Sequence, residues 1–443
     1  METPFLLVAM VRAEFGNRHW WQTRAVVLAF AALAGVTVVL FTWLTEHALA
    51  MFNDVQSAGL WWPLLWTPFV TAVVVWATQR WAPGAAGSGI PQVMAALHTG
   101  TPVIERGLFV SMRLAMAKMF LTSAGLLAGL SMGREGPSVQ IAAGMMHAAR
   151  RWLPARTTVS DHGLLIAGGA AGIAAAFNTP LGGIMFAIEE LSRRPEQRSN
   201  GLLMAAIVLS GLIGVSAFGN STYFGVIRVT SLGWSMLGPG LVVVMACGLS
   251  GGLFSRLLVV SLSGASSSPF NRWRQQAPIR FAAACGLVVA VIGLVSNGAT
   301  FGSGYLHTRA LLAGSDEPSS MYLLLKFLAT WITAWSGVPG GIFAPALAMG
   351  AALGADVAHW MGGLDRSALM AIGMAGFLAA VTQAPLTAFI IVMEMVDGHN
   401  MVLSLMAGSL IASGISRMIS APLYPSLAEV QLRRLPQPSL HTA

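Results

Sequence analysis

Charge is what this 443-residue chain has least of: Asp, Glu, Lys and Arg together make up 9% of it, against about 25% in an ordinary soluble domain. Lysine is reduced to Lys118 and Lys326, and cysteine to Cys247 and Cys285. With 55% hydrophobic residues and a mean hydropathy of +0.70, this poverty of charge excludes a soluble globular protein and specifies an integral membrane protein. Both cysteines fall inside apolar runs, so neither a disulfide framework nor a metal site is implied. HExxH and Cys/His groupings are absent, and no enzymatic chemistry and no cofactor are expected. Short alternating strands are absent too, which excludes a membrane β-barrel in favour of helices. The first apolar stretch, Phe5 to Met10, is short and lacks a basic start, so no cleavable signal is expected. About twenty residues follow the last apolar run, too few for a soluble regulatory domain.

What is present is a series of roughly a dozen apolar runs, near 25–44, 59–78, 108–131, 138–153, 162–191, 202–218, 237–262, 280–297, 320–336, 345–361, 367–396 and 401–420. Many are broken by the chain's 49 glycines and 21 prolines, as happens where helices are packed in protein or line a cavity. A net charge of +8 raises the question of nucleic acid, but the arginines gather at the ends of apolar runs: Arg150, Arg151 and Arg156; Arg193, Arg194 and Arg198; Arg272 and Arg274; Arg433 and Arg434. That is the pattern of positive-inside anchoring in a lipid bilayer. Both termini, the first carrying Arg12, Arg18 and Arg24, are therefore expected in the cytoplasm. The fourteen tryptophans, Trp20–Trp21 and Trp61–Trp62 among them, read as interfacial anchors, the methionines as packing, and His162 and the other histidines show no ligand spacing.

The two halves of the chain echo each other. Residues 164–191 (LLIAGGAAGIAAAFNTPLGGIMFAIEEL) align without gaps with 369–396 (LMAIGMAGFLAAVTQAPLTAFIIVMEMV), pairing Asn178 with Gln383, Pro180 with Pro385 and Glu189 with Glu394. Upstream, GREGP (133–137) matches GIFAP (341–345), and GSG at 87–89 matches GSG at 302–304, with offsets drifting from 205 to 208 to 215. Lys118 and Lys326 each stand 17 residues before a matched position, Glu135 and Phe343. Internal repeats of this kind are common in secondary transporters, where the substrate site forms at the repeat interface. The expected organisation is a single transmembrane domain over 1–443, with one repeat at about 24–218 and the other at about 237–430.

Three motifs, GSGIP (87–91), GREGP (133–137) and GGIFAP (340–345), put glycines ahead of a proline that is expected to open a helix. Glycine lets backbone approach a ligand closely, and a helix start offers free N–H groups with about half a positive charge. Several starts converging in one cavity would bind an anion without a buried cation that would hold it too tightly. The plainer reading is that these are helix breaks in a compact bundle.

GSGIPQV, GREGPSVQIAAG, GIAAAFNTPLGGIMFAIEEL, GGIFAPALAMG and APLYPSL follow one another here as they do in the CLC family of chloride channels and chloride/proton exchangers, which this chain resembles over nearly its whole length. The resemblance implies an all-α membrane fold of many tilted, broken helices in two inverted repeats, without CBS domains, and a homodimer with one anion pathway per subunit in a bacterial-type inner membrane. It implies chloride and protons as the transported partners. Carried over residue by residue, it gives the central anion to the hydroxyls of Ser88 and Tyr424 and the amides of Ile342 and Phe343, with Gly87, Gly133, Arg134, Gly136 and Gly341 in the helix-start motifs. Serine at position 88, where proline goes with nitrate, implies chloride. Glu135 is then the gating glutamate, whose carboxylate competes with the anion; Glu190 is the inner proton acceptor; and Glu189 helps water reach it. Glu394 has no family role and reads as structural.

Plainer alternatives stand beside these. Arg134 and Glu135 would form an ion pair that only supports packing, and Glu189 and Glu190 would be surface partners of the following arginines. A passive voltage- or pH-gated chloride channel of the same fold is the alternative to a chloride/proton antiporter. A cation symporter is disfavoured because helix starts offer donors where a cation needs carbonyls. The chain departs from many bacterial exchangers after GSGIP, where Gln92, Val93 and Met94 replace acidic residues, so Lys118 is expected to be buried with its counter-charge in doubt.

Overall fold

The structure, a computed structural model, describes residues 18–59, 61–98, 101, 105–155, 157–192, 201–219, 224, 234–264, 268–314, 319–362 and 365–433. Phe5 to Met10, Arg12, Arg156, Arg193, Arg194, Arg198 and Arg434 lie outside them. The described residues form 18 α-helices and no sheet. The first half contains α1 (Arg18–Ser57), α2 (Trp62–Trp81), α3 (Ile90–Leu97), α4 (Met112–Leu127), α5 (Glu135–Ala148), α6 (Asp161–Phe177), α7 (Pro180–Phe186) and α8 (Gly201–Phe218). The second contains α9 (Leu237–Ser263), α10 (Pro269–Gln276), α11 (Pro278–Val295), α12 (Tyr305–Leu312), α13 (Ser320–Ser336), α14 (Phe343–Met361), α15 (Arg366–Thr382), α16 (Pro385–Met395), α17 (Val402–Ile419) and α18 (Leu423–Leu432).

Fewer of these helices can cross a bilayer alone than the dozen apolar runs suggest. Among the described residues, six are long and apolar enough: α1, the Glu105–Leu127 stretch ending in α4, α8, α9, α11 and the His399–Ile419 stretch ending in α17. They form an outer layer that turns large apolar side chains such as Leu40, Trp43, Leu249 and Leu403 outward. Inside lie α5, α6, α14 and α15, apolar all round; every residue of α15 from Ala368 to Thr382 is buried. The run at 162–191 is not one span. It stops at Asn178, which adopts a left-handed conformation (φ 60°), restarts at Pro180, and ends in a π-helical turn, Ala187–Ser192. Its repeat counterpart stops at Gln383 (φ 59°) and restarts at Pro385.

Within each half the central pair of helices meets backbone to backbone. On α14 a Cβ at Gly350 would stand 2.6 Å from the Gly373 carbonyl carbon of α15, and one at Gly354 2.6 Å from that of Leu369. On α6 a Cβ at Gly172 would stand 2.5 Å from the Ser138 oxygen of α5. Close approach through small residues is what holds helices together where lipid offers no hydrophobic driving force.

Between the halves the contacts are reciprocal. The Glu189 carboxylate accepts from the amides of Leu386 (3.1 Å) and Thr387 (2.6 Å) at the start of α16, and that of Glu394 accepts from Leu181 (3.1 Å) and Gly182 (2.7 Å) at the start of α7. Such exchange, in which each partner gives the other what it receives, is the mark of a two-fold relation. The repeats are thus inverted copies packed face to face, and Glu394 is structural, as its sequence context suggested.

Gly354→Leu is expected to force α14 and α15 apart, costing about 1–3 kcal/mol or more. Gly414→Leu, where nothing stands within 4 Å of an added Cβ, should leave thermal stability in detergent unchanged. Fluorescence-detected size exclusion after heating reads both.

Candidate functional site

One pair of glycines sets the site. Gly133 N–H donates to Gly341 O and Gly341 N–H to Gly133 O, both at 2.8 Å, an isolated antiparallel bridge between the matched loops of the two repeats. Two residues beyond each glycine a helix begins, α5 at Glu135 and α14 at Phe343. The third loop joins through Gly340 N–H to Gly87 O (3.1 Å). The three motif prolines are not at the first helical position, as the sequence suggested; Pro91 is second in α3, and Pro137 and Pro345 are third in α5 and α14. All still fall in the first turn, where an N–H has no intrahelical acceptor.

Glycine is required by the fit. A Cβ at Gly136 would collide with the Ser88 hydroxyl and stand 2.9 Å from Ser88 O. Gly87 and Gly89, at φ 76° and 108°, turn the loop that presents Ser88. Lys118, wholly buried, fixes that loop by donating to Ala85 O (2.7 Å) and Gly87 O (2.5 Å). Lys326 does the same on the second repeat, donating to Thr300 O (2.9 Å) and Gly302 O (2.8 Å). Among the described residues Lys118 meets no carboxylate; its Nζ is received by two carbonyls. Gln140 adds Gly84 O (2.9 Å) and Phe109 O (2.7 Å), and Gln92 donates to Ala86 O.

Among the buried oxygens of this frame without a hydrogen bond of proper geometry are Ser88 Oγ, Tyr424 Oη and both carboxylate oxygens of Glu135, besides the amide oxygens of Gln92 and Gln140. Leaving a hydroxyl unsatisfied costs about 1–3 kcal/mol, and a carboxylate more. Glu135, fully buried, directs its carboxylate toward the amides of Arg134 and Glu135 at its own helix start and of Ala344 at the other. The Tyr424 hydroxyl faces that of Ser88 and lies within electrostatic reach of both Glu190 and Glu135. Phe343 stacks on Tyr424 (centroids 6.0 Å, 21°) and is flanked by Phe177 at 6.2 Å and Phe186 at 6.3 Å, an apolar wall beside the hydroxyls. Ile342 caps α14, so its amide and that of Phe343 stand at the helix start.

Three cavities lead to these groups. One of about 490 Å³ runs from Glu46 and Arg309 to Arg134 and Glu135. A small one of about 80 Å³ reaches Gly87, Ser88, Ile342 and Tyr424, and a third of about 740 Å³ reaches Glu189 and Glu190. The last two flank one turn of chain: residues 417–422 line the larger and Leu423 and Tyr424 the smaller, so both open at the same end of α17.

Arg134 Nη1 donates to Glu46 Oε1 at 2.9 Å, and its guanidinium lies within electrostatic reach of Glu135, whose oxygens make no hydrogen bond of proper geometry. Glu190, 2% exposed, sits on the π-helical turn and lines the large cavity; such turns are frequent at functional sites. Glu189, beside it, has its carboxylate engaged by Leu386 and Thr387. Sequence reasoning missed Glu46, which lies in no motif, and gave no role to Gln140, Phe177 and Phe186, although GREGPSVQIAAG and GIAAAFNTPLGGIMFAIEEL contain them. The repeat-matched spacing of the two lysines was the available signal for their shared role.

The sequence profile of the voltage gated chloride channel family matches residues 70–417. The chain belongs to this family. Among curated members it is 30% identical over 443 residues to the H(+)/Cl(-) exchange transporter ClcA of Yersinia pseudotuberculosis, covering 94% of this chain and 89% of the relative. It is 29% identical over 425 residues to ClcA of Citrobacter koseri, covering 91% and 87%. Among solved structures, a slow cyanobacterial Cl⁻/H⁺ antiporter superposes with a TM-score of 0.81 at 24% identity, over 93% of this chain and 98% of the other. A CLC-type fluoride/proton antiporter gives 0.71 at 21% identity, over 93% and 99%. These superpositions show the CLC fold, and the family membership with the six long apolar helices makes the chain an integral membrane protein.

Lys118→Met leaves Ala85 O without its donor and Gly87 O with that from Gly340 N–H alone, and is expected to cost roughly 1–3 kcal/mol; Lys326→Met, which takes the donor from Thr300 O and Gly302 O, should cost at least as much. Thermal melts of the purified variants measure both.

Proposed function

We propose that this chain is a chloride/proton antiporter in which Glu135 is the element shared by both ions. The observation that carries it is Glu135 itself: a carboxylate buried without a hydrogen bond, at the end of one cavity, aimed at the amides of two helix starts. Ionised, it takes the place of an anion in that field. Protonated, it no longer competes, and chloride occupies the helix starts instead. A halide there would be held by the hydroxyls of Ser88 and Tyr424 and the amides of Ile342 and Phe343, neutral donors that replace water without a full opposing charge. Arg134, paired with Glu46, stays at the outer rim.

Glu190 supports exchange over a passive channel of the same fold. It gives the proton its own entrance, the 740 Å³ cavity, separate from the cavity that ends at Ser88 and Tyr424. Protons would pass from Glu190 past Tyr424 to Glu135 while chloride moves the opposite way. For Glu189 we propose only that it lines the entry, since its carboxylate already serves two amides. The two entrances at the end of α17 are the inner face, in keeping with arginines at helix ends there, such as Arg417, and the termini are cytoplasmic. The assembly, as the family resemblance implies, is a homodimer with one pathway per subunit, to be checked by crosslinking in membranes.

In liposomes driven only by a chloride gradient, the wild type is expected to move protons uphill. Glu190→Ala should abolish proton movement and keep chloride flux; chloride flux without protons in the wild type would make the protein a channel. Chloride flux should rise as pH falls, because protonation neutralises the gate, and Glu135→Gln should remove that pH dependence. Calorimetry should find chloride bound about 3–10-fold more weakly by Tyr424→Phe or Ser88→Ala, the loss of one hydrogen bond to an ion.

A further inference from the structure

The second GSG loop repeats the geometry of the first at the other mouth. Gly302 and Gly304 turn it with φ 63° and 86°, as Gly87 and Gly89 turn the first with φ 76° and 108°. Lys326 grips Thr300 O and Gly302 O, each 215 residues beyond the carbonyls of Ala85 and Gly87 that Lys118 grips. The first loop presents Ser88 to the narrow inner cavity, and the second presents Ser303 to the outer cavity of about 490 Å³, which Glu135 also lines. Ser303 Oγ accepts from Tyr305 N–H at 3.3 Å, which leaves its hydroxyl proton to donate elsewhere. The inverted relation of the repeats thus puts a neutral donor of the same kind at each mouth.

What the outer mouth adds is charge. Arg309, exposed and in the last turn of α12, lines the same cavity and stands at the position matched to Met94 of the first repeat. Its Nη1 donates to the neutral Tyr305 Oη at 3.3 Å, and among the described residues it forms no ion pair. The other charged side chains of that wall are Arg134 and Glu46, joined at 2.9 Å, and Glu135. Once Glu135 has taken up a proton, Arg309 is the charge on the described wall that no carboxylate meets. A fixed charge in a low-dielectric cleft raises the local concentration of the opposite ion, and a hydroxyl beside it replaces part of that ion's hydration shell.

We propose that Ser303 and Arg309 make the outer mouth a docking site for small inorganic anions, occupied on the way to and from the helix starts at Glu135. Under the exchange reading above, on which this rests, the anion is chloride. Arg309 draws the ion into the cavity and Ser303 donates to it there. Both act outside the central binding groups, so they set the apparent chloride affinity and leave the maximal rate to Glu135 and Glu190.

The test is radiotracer chloride exchange in proteoliposomes with equal chloride on both sides, an impermeant organic anion replacing chloride so that ionic strength stays constant. At about 0.03 M, where the screening length exceeds about 10 Å, Arg309→Gln should raise KM for chloride about fivefold and Arg309→Glu further, with Arg309→Lys within about twofold of wild type. At about 1 M, where screening acts within about 3 Å, these differences should vanish. Ser303→Ala, which removes a neutral donor, should raise KM about 3–5-fold at both ionic strengths. Maximal rates should stay close to that of the wild type throughout. Charge is also set after folding: the Arg309→Cys variant, labelled in detergent with a cationic or an anionic methanethiosulfonate, should show the lower KM with the cation. Cys247 and Cys285 are buried, and labelled wild type is the control. A KM that is the same with either label overturns the proposal, as does a Lys variant that behaves like Gln, a Ser303→Ala variant with the wild-type KM, or a maximal rate that falls while KM holds. A wild type that exchanges no chloride overturns the transport reading beneath, and this proposal with it.

Discussion

Two N–H···O bonds between Gly133 and Gly341 hold the centre of this protein together. Because they join matched positions of the repeats, they force α5 and α14 to begin side by side, with both helix starts turned to one spot. Side chains would have blocked this: a Cβ at Gly341 would stand 3.0 Å from Gly136 N and 3.1 Å from Pro137 Cδ. Everything around the bridge preserves its alignment. The lysines clamp the loops before it, the glutamates lock the helices behind it, and glycine contacts press the central helices into pairs.

The buried charges divide by what they meet. Lys118 and Lys326 are each matched by two carbonyls, and Glu189 and Glu394 each by two amides, so their burial is compensated locally and they are fixtures of the scaffold. Glu135, also buried, faces the amides of Arg134, Glu135 and Ala344 but makes no hydrogen bond of proper geometry with them. A carboxylate held so loosely gains most from changing its state, by taking up a proton or leaving, which is the ground of the role proposed for it above. Ser88 and Tyr424 offer neutral donors beside it, in keeping with that proposal.

Much of this was legible in the sequence, because a duplicated chain annotates itself. The matched GSG loops, the equal spacing of the lysines and the Pro180–Pro385 pair fixed which segments must be equivalent, and the resemblance to CLC proteins supplied roles for Glu135 and Glu190. Illegible were the contacts that bring distant stretches together. Glu46 reaches Arg134 across 88 residues, and nothing in its own surroundings announces it. Glu189 and Glu190 are neighbours of identical chemistry on one π-helical turn, and their adjacency in sequence did not reveal that the first binds the amides of α16. The dozen apolar runs outnumber the six long apolar helices for a related reason: hydropathy registers burial in protein and burial in lipid alike, and α5, α6, α14 and α15 are buried in protein.

The glutamate exchange between α7 and α16 also fixes an order of events during synthesis. Leu181 and Gly182 are made more than two hundred residues before Glu394, the acid that accepts their amides. The first repeat therefore enters the membrane with the start of α7 unmatched and with Glu189 awaiting a helix that has not been translated. Neither set of hydrogen bonds can close until α16 and Glu394 have been made. What joins the repeats in space makes the second one the chaperone of the first in time.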